Sequence, residues 1–354
     1  MIQAGVLGAA GFAGVQLAHI LAAHPDMELA AIASDSLKGT PLSEVYPSFA
    51  GVSDLAFCER DELLRIGLDV VFLAVPHTAS LELTPKIVES GAVAIDLSAD
   101  FRLRDPLTYE AWYGVPHTQL DLLAQSSFGL PELFPESLQA AYERHEEKLP
   151  VVVACAGCYP TATSLAAAPA LRAGLLREGA VVVADAISGV TGAGKKPSAR
   201  THFCFADENL EAYGVSTHRH TPEIEQILQL EDQLVFTPHL APLNRGLLST
   251  VTIPVSPDAP VASAEDIQRL YEGFYEGCTF VTVLPQGTQP RTASVAGTNR
   301  AQIGVAFDRR TRCIIATGAI DNLGKGAAGQ AVQCANIVLG LPESAGLESV
   351  ALPL

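Results

Sequence analysis

A chain of 354 residues exceeds the size at which a single hydrophobic core keeps growing, so two domains are expected. With 48% hydrophobic and only 17% charged residues it is neither disordered nor fibrous, and it carries enough apolar side chains for two packed cores. A formal net charge of −17 excludes unaided binding to nucleic acid or to an anionic membrane, because the phosphate contribution would be repulsive, and it requires a local basic pocket for any anionic substrate.

Short apolar runs and helical patterns alternate from the start of the chain. Strands are predicted at 3–8, 27–34, 69–75 and 92–97, with helices at 14–23 and 80–90. This alternation predicts an α/β domain with a Rossmann-type, doubly wound parallel sheet. Met1-Ile2-Gln3-Ala4 runs directly into the first strand without a basic segment, apolar stretch or cleavage site, and no apolar run is long enough to span a bilayer, so a cytoplasmic protein is expected. The charged stretch 142–150 suits a crossing between domains. Beyond it come a strand at 151–154, a helix at 161–171 and strands at 180–187, 233–238, 249–255, 279–284 and 302–308. Few helices separate these strands, which predicts an α+β domain with a mainly antiparallel sheet, open on one face to solvent or to another subunit. A Gly-rich turn from Asp321 then leads to a helix at 327–338, expected to pack back on the first domain. The expected domains are therefore 1–150, completed by about 322–354, and 151–321.

Gly8-Ala9-Ala10-Gly11-Phe12-Ala13-Gly14 follows a predicted strand and opens a predicted helix. Glycines there let backbone amides approach a pyrophosphate, and the helix N-terminus stabilises its charge, so the segment is read as a dinucleotide site. Asp35 lies about 20 residues on, where an acid grips a ribose 2′-hydroxyl and favours NAD. Ser34, Ser36 and Lys38 suit the additional phosphate of NADP instead, and the residues leave that choice open.

Ala156-Gly157-Cys158-Tyr159-Pro160-Thr161 stands where an apolar strand turns into a helix, with Pro160 expected at the first helical position. Cys158 then meets the positive end of a helix dipole, which favours the nucleophilic thiolate. Seven cysteines scattered along the chain fit reduced thiols. Cys155 and Cys158 form a C-x-x-C, readable as a redox pair, but no second pair follows to complete a zinc site, and no metal is expected.

A thiolate beside a nicotinamide suits chemistry in which sulfur attacks an acyl carbon and hydride moves to or from the sulfur-bound carbon. His218-Arg219-His220-Thr221-Pro222-Glu223 offers the proton carriers, with Thr221 as a candidate helix cap; His220 is the first choice for acid/base and His218 the second. Arg102, delivered by Asp96-Leu97-Ser98-Ala99-Asp100-Phe101-Arg102 at a strand end, suits capture of phosphate or carboxylate. His239 to Gly246, with Arg245, forms another cationic turn. Ser188-Gly189-Val190-Thr191-Gly192-Ala193-Gly194 is a loop able to cover a cofactor, and Asn322 can offer an amide to a nicotinamide carboxamide.

These motifs together resemble the N-acetyl-gamma-glutamyl-phosphate reductases, NADPH-dependent enzymes of arginine biosynthesis related to aspartate-semialdehyde dehydrogenase. The resemblance runs nearly end to end and is most specific at Gly-Cys-Tyr-Pro-Thr and His-Arg-His-Thr-Pro-Glu-Ile-Glu. It implies a nucleophilic Cys158, an acid/base His220 with Glu223 nearby, and phosphate or carboxylate contacts from Arg102 and Arg245; His218 is kept beside these as a catalytic candidate and Arg219 as a substrate-binding one. It implies NADP held by the glycine loop, with Gly8, Gly11, Phe12, Ala13 and Gly14, and by Asn322, and a homodimer or homotetramer; Ser34, Lys38, Pro76, Ser188 and Gly189 are further expected cofactor contacts. Two departures from the family pattern stand out: Cys155-Ala156 where members often have Asn-Pro, and the acid Asp35 near the expected 2′-phosphate. The alternatives are the related reductase of lysine biosynthesis, aspartate-semialdehyde dehydrogenase itself, a nucleotide-sensing regulator on the same fold, and a thiol–disulfide oxidoreductase using Cys155 and Cys158. A regulator would need neither Cys158 nor His220, and both are present.

Overall fold

The computed structural model describes residues 1–261 and 263–353. They divide into two compact units: Met1–Ala156 with Ala327–Glu348, and Gly157–Gly326 with the tail from Ser349.

The first unit holds β1 (Ile2–Leu7), β2 (Met27–Ala33), β3 (Val70–Leu73), β4 (Val93–Asp96), β5 (Ser127–Gly129) and β6 (Val152–Cys155) in the order β2-β1-β3-β4-β6-β5, every pair parallel. β3, β4 and β6 are buried along their whole length, which is why they read as near-continuous apolar runs without alternation. The helix Phe12–Leu21 buries Gly14, Leu17, Ala18 and Leu21, one face at helical spacing. The C-terminal helix Gly329–Val338 packs against β4, β5 and β6, as well as against the helices Phe12–Leu21 and Pro135–Glu146. His24 joins its ring Nε2 to Asn336 Oδ1 at 3.1 Å there.

The crossing expected at residue 151 lies instead between Ala156 and Gly157. The strand assigned to the start of the second domain is β6, paired in parallel with β4 and β5. The charged stretch that resembled a crossing is the end of the helix Pro135–Glu146 and its turn, where Arg144 donates to the Pro150 carbonyl.

The second unit has β7 (Val182–Gly189), β8 (Glu211–Ala212), β9 (Leu234–Ala241), β10 (Leu247–Pro254), β11 (Val281–Val283), β12 (Ala301–Asp308) and β13 (Cys313–Ile320), in the order β11-β12-β13-β10-β7-β9-β8. The sheet is mixed: β11–β12 and β7–β9 are parallel and the other four pairs antiparallel. β10 alternates cleanly, with Leu247, Ser249, Val251 and Ile253 buried and Leu248, Thr250 and Thr252 half-exposed. The buried face carries the helices Cys158–Arg172 and Ala264–Phe274, and a Cβ at Gly318 would sit 2.7 Å from the Ala162 carbonyl, so glycine permits the close approach. Val183 and Val235 stand exposed on the other face.

Candidate active site

In the first unit the glycine segment forms the turn its sequence suggests. Gly8 has φ +79°, and a Cβ there would strike the Ala74 carbonyl at the end of β3. A Cβ at Gly14 would collide with the Gly8 carbonyl and lie 2.6 Å from Ala9 Cα. Gly11 takes the cap position of the helix Phe12–Leu21 without a side-chain cap, and no acid stands in the first turn. A helix start without a side-chain cap or an acid in its first turn fits a dinucleotide pyrophosphate. Pro76 lies exposed just beyond β3.

At the end of β2 the charged side chains are paired with one another. The Lys38 ammonium is held by Glu59 at 3.1 Å and Glu62 at 2.7 Å. Asp35 is paired with Arg60, whose Nε lies 2.5 Å from Oδ2 and whose backbone N–H donates to Oδ1. Ser34 Oγ contacts Ser36 Oγ at 3.3 Å. Arg60 is therefore the cation beside Asp35, and nothing in the local sequence links two residues so far apart.

In the second unit Cys158 is the first residue of the helix Cys158–Arg172, capped by Gly157 in extended conformation. Pro160 is consequently the third helical residue rather than the first. It still breaks no bond, because the first-turn amides have no partner within a helix. Gly157 N–H donates to Glu223 Oε1 at 2.9 Å, and Glu223 is buried. Gly326 backs the nucleophile: a Cβ there would lie 2.7 Å from Cys158 Cβ.

An aromatic cluster stands beside the thiol. Tyr159 meets His218, His220 and Phe236 edge-on at centroid distances of 5.5, 6.0 and 5.4 Å, and the two imidazoles lie 5.0 Å apart. Tyr159 donates its hydroxyl to the His239 carbonyl, and Tyr213 donates to the Tyr159 oxygen. Burial first, and then each other's proximity and that of Cys158, drive the Tyr159 pKa upward; burial pushes Tyr213 up to about 12. Both phenols are therefore protonated at neutral pH. His218 Nδ1 accepts the His220 backbone N–H at 3.2 Å, which puts the proton of the neutral ring on Nε2. Burial, reinforced by neighbouring Arg219, lowers His218 to about 4. His220 itself takes the cap position of the helix Thr221–Leu228, so Thr221 is its first residue rather than its cap, and Pro222 the second.

The remaining candidates are braces as much as ligands. Arg102, buried in the first unit, donates Nε to the Cys155 carbonyl at 2.7 Å and Nη2 to the Leu97 carbonyl at 2.8 Å. Arg245 binds Asp321 through Nε at 2.8 Å and Nη2 at 3.2 Å, while the fully buried Asp321 also accepts N–H groups from Gly297, Leu323 and Gly324. Asn322 receives Gly246 N–H on its carbonyl and donates to Thr191 Oγ1. Ser188 is buried at the end of β7 and Gly189 abuts the Leu243 carbonyl, so the loop they begin is anchored to the Arg245 turn. Arg219 is exposed. The sequence reading missed Tyr213 and Phe236, and it singled out the turn 321–326 for its amide without giving Asp321 or Gly326 a role. Among the described residues no helix is long and apolar enough to cross a membrane.

Two sequence families match the chain: the semialdehyde dehydrogenase NAD binding domain over residues 3–141 and the semialdehyde dehydrogenase dimerisation domain over 158–322. The chain is 43% identical to an N-acetyl-gamma-glutamyl-phosphate reductase of Desulforudis audaxviator over 98% of both chains. It is likewise 43% identical to the one of Neisseria meningitidis serogroup C over 99% of this chain and 98% of the relative. Its fold matches aspartate semialdehyde dehydrogenase II of Vibrio cholerae, solved with ASA, with a TM-score of 0.70 at 18% identity, covering 96% of this chain and 98% of that one. The Candida albicans aspartate semialdehyde dehydrogenase solved with NADP matches equally, at TM-score 0.70 and 17% identity over 96% and 98%. With near-complete coverage at 43% identity, the chain belongs to the N-acetyl-gamma-glutamyl-phosphate reductase family.

Proposed function

We propose that the chain reduces N-acetyl-gamma-glutamyl phosphate to the corresponding semialdehyde and phosphate with NADPH, in arginine biosynthesis, through a thioester on Cys158. The observation that carries this reading is a cysteine at the first position of a fifteen-residue helix, backed by Gly326 and followed by Tyr159, whose ring meets two imidazoles edge-on.

The helix N-terminus favours the thiolate, whose sulfur attacks the acyl carbon. The bond from that carbon to the phosphate oxygen breaks, and phosphate leaves with the electron pair. A nicotinamide cofactor held at the glycine turn would supply the hydride that reduces the thioester carbon. His220 then donates a proton to the resulting oxyanion, takes it back from the hemithioacetal hydroxyl, and the C–S bond breaks to release aldehyde and restore the thiolate. His218, held neutral by burial and bound at Nδ1, positions His220 rather than transferring the proton. Glu223 takes the Gly157 amide, so oxyanion stabilisation falls to donors further into the helix, such as the Tyr159 amide. Arg102, Arg219 and Arg245 supply positive charge to the phosphate and carboxylate of the substrate in a chain that is otherwise acidic. In the first unit Gly8, Gly11, Phe12, Ala13 and Gly14 would cradle the pyrophosphate, with Ser34, Lys38 and Pro76 as further cofactor contacts; Ser188, Gly189 and Asn322 are the cofactor contacts proposed for the second unit. The half-exposed outer face of the second sheet, with Val183 and Val235, is the surface for a second copy of the chain in a homodimer of the cytoplasm.

The test is the reverse reaction: purified protein, N-acetylglutamate semialdehyde, phosphate and NADP, followed by nicotinamide absorbance. Phosphate-dependent reduction of NADP supports the reading. Cys158→Ala should abolish it while retaining NADPH binding, and full turnover in that variant would overturn the covalent route.

A further inference from the structure

We propose that Asp100 is a positioning residue for the nicotinamide cofactor, holding the segment Pro76–Ser80 in the conformation that walls the dinucleotide site; this rests on the dinucleotide reading of the glycine turn.

Thr78 has φ +75°. For a β-branched residue the left-handed region is a true outlier, sustained only where the surroundings over-determine it, and such residues gather at ligand clamps. Here a single fully buried carboxylate does the holding. Asp100 Oδ1 accepts the Thr78 N–H at 2.7 Å, and Oδ2 accepts the Ser80 N–H at 3.0 Å. The helix Ser80–Glu89 has no side-chain cap from its own cap residue Ala79, so Asp100 caps it from 20 residues away. The contact is reciprocated: Ala99 N–H donates to His77 Nδ1 at 3.3 Å. Asp100 is itself fixed from behind, with the Tyr109 hydroxyl donating to Oδ1 at 2.8 Å and Ser98 Oγ accepting its backbone N–H at 3.1 Å. His117 Nε2 meets the Asp100 carbonyl at 2.8 Å and completes the support.

The location gives this arrangement its purpose. The clamped segment leaves β3 beside β1, with Ala74 N–H bonded to the Leu7 carbonyl and the Ala74 carbonyl pressed against Gly8. β1 has β2 on one side and β3 on the other, so the crevice beyond the ends of β1 and β3 is the switch point of the sheet, where ligands of open α/β sheets bind. A loop that needed only to connect β3 to the next helix would have no reason to hold a threonine in the left-handed region.

The experiment titrates NADPH into the full-length wild type, Asp100→Asn, Tyr109→Phe, Thr78→Gly and Gly14→Val, following nicotinamide fluorescence. Each protein is also tested for its thermal midpoint and for the burst of phosphate released from the acyl phosphate without NADPH. Asp100→Asn keeps an acceptor for Thr78 but presents an N–H to Ser80. It is expected to weaken NADPH binding about tenfold, with kcat at saturating NADPH and the phosphate burst within about twofold of wild type. Tyr109→Phe and Thr78→Gly should each weaken binding about threefold, the latter without lowering the thermal midpoint. A folded Asp100→Asn with wild-type affinity, or one losing burst and affinity together, overturns the proposal; if that variant does not fold, wild-type affinity in both Tyr109→Phe and Thr78→Gly does so. Gly14→Val should bind no NADPH. If it binds normally, the glycine-turn reading falls and the Asp100 proposal with it, whereas loss in Gly14→Val with normal Asp100→Asn removes only the latter.

Discussion

Glu223 holds the Gly157 amide at 2.9 Å, so a carboxylate in the first turn of one helix fixes the cap residue of another, one position before the cysteine. Replacing Glu223 by Ala leaves a buried N–H without its acceptor, at about 1–3 kcal/mol of stability, and frees the turn that aims the thiol. Gln retains a carbonyl for the same bond. We expect a fall in kcat of about tenfold for Glu223→Ala and a much smaller one for Glu223→Gln. Equal losses would point to the charge of Glu223, not its bond.

The two histidines divide by environment. With its pKa lowered to about 4 from an ordinary 6.5, His218 stays neutral in the folded protein, while the unfolded chain protonates it below about pH 6.5. The unfolded state then binds more protons, so the stability His218 contributes is complete above pH 6.5 and is lost as pH falls toward 4, a change of about 2 kcal/mol after allowance for partial exposure. Denaturant titrations from pH 7 to 4 should show a shallower loss in His218→Asn than in wild type. An NMR titration of His218 with a midpoint near 6.5 would contradict this. His220→Asn should cost about a hundredfold in kcat, and His218→Asn less.

At Gly326 there is no room for a methyl group. Gly326→Ala must displace either the turn or Cys158, and about a tenfold loss of kcat is expected with the fold retained. Iodoacetamide alkylation of Cys158 reads the displacement directly, and unchanged kinetics would mean that the thiol does not feel that position.

Asp35 and Arg60 form one unit at the end of β2. Arg60→Ala exposes the carboxylate, which repels a 2′-phosphate and accepts a ribose hydroxyl. The ratio of kcat/KM for NADPH over NADH should therefore fall about five- to tenfold, and Asp35→Ser should raise it. No change in either variant would move the 2′-phosphate contacts away from this pair.

Local patterns carried much of what the sequence disclosed. The glycine turn, the strand-to-helix step at Cys158 and the histidine pair are contiguous motifs whose chemistry depends on neighbours in the chain. Contacts across long separations were not legible: Glu223 reaches Gly157 over 66 residues and Asp35 reaches Arg60 over 25, and neither spacing has a pattern. The domain boundary was misread because a strand buried on both faces looks alike in either sheet, and only pairing with β4 and β5 assigns β6. Pro160 was misnumbered because Gly157 leaves no side-chain signature of a cap.

The packing of Gly329–Val338 on β4, β5 and β6 has a consequence for biogenesis. During synthesis the six strands of the first unit emerge before residues 157–326, but the helix that covers three of them emerges only after those residues. Until then those strands keep an apolar face uncovered, while residues 157–326 already have nearly all of their own unit. The half that begins first therefore waits for its cover until the other is nearly complete, and a ribosome that stops short of residue 327 leaves a nascent chain with an exposed sheet, a natural target for chaperones.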